Sequence, residues 1–149
     1  MLKISKLADY AILVMSSISS QNDKILSAKD IAVETQLTEP TVGKLLKILT
    51  KHQLLSSERG VKGGYKSVRP ANKITIAEII EAVDGKIAMI ECDKINSGCT
   101  VESICTVSSN WQKISSAIRN ALTDISLADM QHEIPESIIQ FDFKKRIKQ

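Results

Sequence analysis

Between Ser27 and Lys51 the chain carries two short amphipathic segments almost back to back, and no other stretch restricts its fold so tightly. Ser27-Ala28-Lys29-Asp30 has the form of a capping box, in which the serine oxygen accepts from the N–H three residues on. It predicts a helix from about 28 through Glu34. Gln36 and Leu37 leave room only for a tight connection. Thr38 then stands where a second helix would be capped. Pro40 is tolerated in a first helical turn, and Val42, Leu45, Leu46 and Leu49 supply a buried stripe. Two short helices around so brief a turn form a helix-turn-helix, spanning about 28-51.

A hairpin comes next in the chain. Leu54-Leu55-Ser56-Ser57-Glu58 and Tyr65-Lys66-Ser67-Val68 are short strand candidates, and the glycine-rich run between them suits a tip that needs positive φ angles. A hairpin directly after a helix-turn-helix is a wing, here at about 55-69. Upstream, Leu7, Ala11, Val14 and Ile18 recur at helical spacing and predict an amphipathic first helix over 6-19, with Asp9 off its apolar stripe. Downstream, Thr75-Ile76-Ala77-Glu78 is another capping box, for a helix running to about Val83 and closed by Gly85. Trp111, Ile114, Ile118, Ala121 and Leu122 mark a long amphipathic helix over 109-123 of the kind that dimerises, and Ser126 can cap one further turn through Met130.

The expected fold is therefore mainly α with a small β wing. A winged helix-turn-helix domain occupies 1-73, and 74-131 holds a helix, a cysteine loop at 92-105 and the dimerisation helix. The tail over 132-149 contains Pro135 and the basic Lys144-Lys145-Arg146, and is expected to be poorly ordered or loosely docked. With aromatics at 3% of the chain, Leu, Ile, Val and Ala must fill the core.

Charge separates the halves. Residues 1-73 hold 12 of the 20 Lys and Arg and 6 of the 17 Asp and Glu, net +6, so the remainder is net -3 within a total of +3. A basic first half fits a polyanion, because every phosphate neutralised by Lys or Arg releases a condensed counterion. On the third helix, Thr41 and Lys44 lie nearest the helix start and are placed for base edges, while Lys47 and Lys51 are placed for phosphates. Arg59 and Lys62 flank wing glycines that let the backbone approach a phosphate or enter a narrow minor groove. One such module reads few bases, so a homodimer on a near-palindromic double-stranded operator is expected.

Lys3, Lys6 and Asp9 interrupt any secretory leader, and no apolar run is long enough to span a bilayer, so the chain reads as cytoplasmic with no membrane partner. No Ser/His/Asp set, nucleotide loop or catalytic carboxylate pair is evident, which argues against an enzyme and against a small-molecule substrate. The three cysteines fall as Cys92-x6-Cys99-x5-Cys105. Three soft thiolates in one loop select an iron-sulfur cluster, zinc or copper(I). Zinc favours a CxxC knuckle and four closed ligands, neither of which is present, whereas three cysteines plus one foreign ligand suit a labile cluster. A zinc site or a bare thiol switch stays open at this level, as does a small redox carrier whose basic half recognises an acidic partner.

The opening Leu2-Lys3-Ile4-Ser5-Lys6-Leu7-Ala8-Asp9-Tyr10-Ala11, the wing Ser57-Glu58-Arg59-Gly60-Val61-Lys62-Gly63-Gly64-Tyr65, the run Ile79-Ile80-Glu81-Ala82-Val83-Asp84 and the cysteine triad together resemble the IscR/NsrR family. These are bacterial winged-helix regulators that hold an iron-sulfur cluster, and the resemblance covers about residues 1-130. The branch it looks most like controls the SUF iron-sulfur assembly system. The resemblance implies a transcriptional regulator with Cys92, Cys99 and Cys105 as ligands of a [2Fe-2S] or [4Fe-4S] cluster, and adds Thr38 and Tyr65 to the DNA-binding set. The histidine that the IscR branch carries three residues beyond its last cysteine is replaced here by Ser108. The nitric-oxide-sensing branch looks instead to an aspartate in the first helix, and Asp9 occupies that position as the implied fourth ligand. Gly43 stands where IscR-like recognition helices place a glutamate, so the operator sequence does not carry over.

Overall fold

The computed structural model describes residues 3–21, 24–88 and 107–132. Cys92, Cys99 and Cys105, with the loop between them, and the tail beyond His132 lie outside the described residues, and so do the expectations attached to them. The elements in chain order are α1 (Lys6–Ser20), α2 (Ala28–Thr35), α3 (Glu39–Lys51), β1 (Leu55–Glu58), β2 (Gly64–Ser67), a 3-10 turn (Ala71–Lys73), α4 (Ile76–Asp84), α5 (Ser108–Thr123) and α6 (Leu127–Met130). The fold is the expected one, mainly helical with one small antiparallel sheet.

Helix α1 runs through the middle. Its inward stripe of Ala8, Ala11, Val14, Met15 and Ile18 is almost wholly buried, and α2, α3, β2, α4 and α6 all pack against it. The two alanines leave no bulk to hold neighbouring helices away. Val42, Leu45, Leu46 and Leu49 of α3 and Ile76, Ile79 and Ile80 of α4 close the same core, and each such side chain contributes roughly 1.5–3 kcal/mol on burial. The core is therefore continuous across residue 73, drawing on α4 and on Leu127 of α6 as well as on the helix-turn-helix. Among the described residues no helix is long and apolar enough to cross a membrane.

Local chemistry explains the boundaries. The capping boxes anticipated at Ser27/Asp30 and Thr75/Glu78 are both formed, and Ser126/Asp129 makes a third at α6. Thr38 is a correction. It occupies the N-cap position of α3, but its hydroxyl pairs with that of Thr41 at 2.8 Å and does not cap the backbone. Between α2 and α3, Gln36 adopts a left-handed conformation, with φ of 56°, that lets the chain reverse within the turn.

The second half is pinned to the first by polar contacts far apart in sequence. At the end of α4, Asp84 accepts from the Ser5 backbone N–H at 3.1 Å and from the Ser5 hydroxyl at 2.5 Å, while the same hydroxyl oxygen accepts from the Ala8 N–H at 3.0 Å. One turn earlier, Glu81 receives Arg119 of α5 in a bidentate pair, Nε at 2.7 Å and Nη2 at 3.0 Å. The strap before α4 and the strap before α6 also pair: the Ile76 N–H donates to Ile125 at 3.0 Å and the Leu127 N–H to Ile74 at 2.8 Å.

The Arg119 hydrogen bond holds the Glu81 carboxyl below its ordinary value of 4.5, against the opposing effect of partial burial. Because the folded-state value is the lower one, the stabilisation is complete above about pH 4.5 and is lost as pH falls through the folded value. Glu81→Gln is expected to cost about 1 kcal/mol at neutral pH, a modest figure because Arg119 remains largely solvated. The difference from wild type should shrink in urea melts repeated at pH values progressively below 4.5. A difference that is independent of pH would remove the ion pair as its cause.

Candidate nucleic-acid interface and sensor loop

Helix α3 buries one side and presents the other. Lys44, Lys47 and Lys51 are exposed, follow one another at helical spacing, and lie opposite the Val42/Leu45/Leu49 stripe. Thr38 is exposed and Thr41 half-buried at the start of the same helix, where the backbone dipole is positive. Pro40 has no N–H and the Thr38 hydroxyl is committed to Thr41, so no side chain of this turn caps the backbone.

The wing stands beside it. Strands β1 and β2 pair antiparallel with Leu55 opposite Ser67 and Glu58 opposite Gly64. A third segment steadies them: the Leu26 N–H donates to the Tyr65 carbonyl at 3.0 Å and the Tyr65 N–H returns to Leu26 at 2.8 Å. Gly64 is what admits this strap, because a Cβ there would overlap the Leu26 carbonyl. Tyr65 packs half-buried against the core, so within the fold it anchors the wing from behind. Sequence reasoning missed Leu26, although the second glycine of the Gly63-Gly64 pair was a sign that another backbone passes close by.

Charge pairing sorts the basic residues. Lys66 is bound to Glu58 at 2.7 Å, and Arg69 to Glu78 at 2.8 Å and to the Lys73 carbonyl at 3.0 Å. Burial would raise the Glu78 carboxyl, but the Thr75 N–H and Arg69 outweigh it and bring the group below its ordinary value. By contrast, no carboxylate among the described residues lies within ion-pair range of Lys44, Lys47, Lys51, Arg59 or Lys62. All five are exposed. The cations nominated for DNA are thus among those that no described carboxylate neutralises, whereas Lys66 and Arg69 fasten the wing down.

Asp9 is exposed in the first turn of α1, and among the described residues nothing hydrogen-bonds to its carboxylate. The Ser5–Asp84 contact sets the end of α4 against this same end of α1, so the segment that leads into the cysteines leaves α4 beside the helix start that carries Asp9. Ser108, which replaces the histidine of the IscR branch, is the first residue of α5. His52 caps the end of α3 and His132 is exposed, both away from this junction in role. Among the described residues no group of His, Cys, Asp and Glu is gathered closely enough to hold a metal ion.

The family model for Rrf2, described as an iron-dependent transcriptional regulator, matches residues 4–133. The chain belongs to the Rrf2 family. It is 29% identical to the HTH-type transcriptional regulator NsrR of Oceanobacillus iheyensis over 87% of this chain and 89% of that one. Among solved structures it resembles IscR of T. potens, with a TM-score of 0.66, 28% identity and coverage of 91% and 90%. It resembles equally CymR of B. subtilis, described as the global cysteine regulator, with a TM-score of 0.67, 26% identity and coverage of 87% and 96%. This Rrf2 protein is a DNA-binding transcriptional regulator and not an enzyme.

Gly43 in the middle of α3 needs no neighbouring helix to explain it, since a Cβ there would meet nothing within 4 Å. In this Rrf2 chain Gly43→Ala should raise stability by about 1 kcal/mol, whereas Gly64→Ala should lower it by roughly 2 kcal/mol or more by displacing the Leu26 strap. Denaturant melts of the two variants read opposite signs. Equal destabilisation by both would contradict the packing described for each.

Proposed function

We propose that this protein is a cytoplasmic homodimer that senses iron-sulfur status and controls SUF-type iron-sulfur assembly genes from a near-palindromic operator. The observation that carries the reading is the junction of α1 and α4. It joins a free carboxylate, Asp9, and the departure point of a three-cysteine loop to the helix on which the DNA-reading elements are packed. The donor set fits a cluster: three thiolates from Cys92, Cys99 and Cys105 with one oxygen ligand from Asp9, which binds iron more weakly than sulfur and leaves more readily. When bound, a [2Fe-2S] or [4Fe-4S] cluster supplies sensitivity to iron supply, oxygen or nitric oxide.

The chain's own residues do the rest. Residues 1–73 read DNA through Thr38, Thr41 and Lys44 at the start of α3, Lys47 and Lys51 on phosphates, and Arg59 and Lys62 at the wing, with Tyr65 setting the wing's position. Residues 74–131 sense and dimerise. On α5 the large side chains of Trp111 and Ile114 are exposed while Ile118 and Leu122 pack on the core, so the outward half of its apolar stripe is open to a second copy. In such a dimer, release of the cysteine loop from the first helix shifts α1 and changes the population of DNA-competent dimers.

A thiol-based switch is the second reading, favoured by three thiols clustered within one short stretch of sequence. Anaerobic purification separates the two. The cluster reading expects brown protein with sulfide stoichiometric to iron, loss of colour in Cys99→Ala, and a cluster at least about 10-fold shorter-lived in Asp9→Ala. Zinc in place of iron, or colourless protein whose DNA affinity follows thiol oxidation, moves the function to a zinc or thiol switch. An unchanged Asp9→Ala spectrum and lifetime would remove Asp9 from the ligand set.

A further inference from the structure

The tip of the wing presents an apolar side chain that the DNA-binding residues assigned so far do not use. Val61 is fully exposed, at 105% of its reference area, and is the most exposed large hydrophobic among the described residues. It sits between two cations, Arg59 and Lys62, that no described carboxylate neutralises, and the acidic neighbour Glu58 is occupied by Lys66 at 2.7 Å. The tip is held in shape: Gly60 is at φ 115°, the Gly63 N–H donates to the Gly60 carbonyl at 3.0 Å, and the Leu26 strap backs the strands. Solvent-facing turn positions ordinarily favour Asn, Asp, Ser or Gly, which bond to their own backbone, and a β-branched residue offers a turn nothing.

We infer that Val61 is a DNA-contacting, positioning residue of the wing, and that its isopropyl group packs against the deoxyribose edges of the minor groove between the phosphates held by Arg59 and Lys62. The inference rests on the DNA-binding reading of the wing. The walls of that groove are lined by sugar C–H groups, a surface that an apolar side chain dehydrates favourably and a hydroxyl or amide does not. Valine ends one bond beyond its Cβ, too short to enter between base pairs, so it lies along the groove and does not kink the duplex. A narrow A·T-rich groove brings both walls within reach of one isopropyl group, whereas a wider G·C-rich groove offers one wall. Val61 thereby couples affinity to groove width at base pairs flanking those read by α3, without reading any base edge.

The test uses the full chain and a duplex that the wild-type protein has itself selected from a random pool, with second and third duplexes carrying A·T-rich or G·C-rich steps under the wing. Val61→Asn should melt at the same temperature as wild type or higher, since it restores ordinary turn chemistry. Its affinity for the selected duplex should fall about 10-fold for a dimer carrying two wings, and its preference for the A·T-rich duplex should largely disappear. The slope of log affinity against log salt should stay unchanged, whereas Lys62→Ala should lower that slope by about 2 while keeping the A·T preference. Wild-type protein that selects no duplex overturns the DNA-binding reading itself. Wild-type selection with an undiminished Val61→Asn affinity and groove preference overturns only the role of Val61. Abolition of a DNA bend by Val61→Asn would also overturn it, by making the residue a wedge.

Discussion

Burial of one face of α1 is the constraint on which the rest of the molecule depends. Its Ala8, Ala11, Val14, Met15 and Ile18 lie beneath α2, α3, β2, α4 and α6, so these elements take their positions from this helix, and α5 is held through α4. Short side chains at Ala8 and Ala11 let the neighbours come close, and dispersion falls off steeply with any gap. The two halves of the chain are consequently one mechanical object. A displacement of α1 at its N-terminal end, where Asp84 grips Ser5, is felt by the same core that supports α3 and the wing.

Polar contacts do a different job from the core: they orient elements that apolar packing alone would leave free to slide. Glu81 and Asp84 project from the last turn of α4 to α5 and α1 respectively, and Arg69 ties the end of the wing to Glu78 at the start of the same helix. These pairs are partly exposed, and their individual contributions to stability are small. Their geometry matters more than their energy, because a reading surface must be held to within a fraction of an ångström of the duplex it matches. The same logic separates the basic residues. Cations committed to Glu58 and Glu78 build the wing, and the uncommitted ones on α3 and at the wing tip are exposed, where we propose they meet phosphates.

Several parts of this arrangement were legible in the sequence. Capping boxes at Ser27 and Thr75 are local chemistry, decided by residues three positions apart, and each formed where its sequence stands. Apolar spacing likewise placed α1, α3 and α5 within about a residue of their ends. Thr38 shows the limit of such reading: the right residue type at the right position bonded to the Thr41 hydroxyl, since two neighbouring hydroxyls can satisfy each other. For Tyr65 and Gly64, motif resemblance marked the wing without saying which of its residues face outward and which hold it in place.

By itself the sequence determined the element order, the helix-turn-helix with its wing, the segregation of positive charge into the first half, and the presence of three thiols in one loop, because periodicity, caps and composition act over a few residues. Only the tertiary structure decided that Leu26 straps the wing, that α4 shares its core with the helix-turn-helix, that Asp84 grips Ser5 at the start of the helix that carries Asp9, and which of the described lysines and arginines form ion pairs. Those facts depend on groups as much as 79 residues apart meeting within hydrogen-bond range. Such meetings are set by how whole helices pack, and no local pattern along the chain records them.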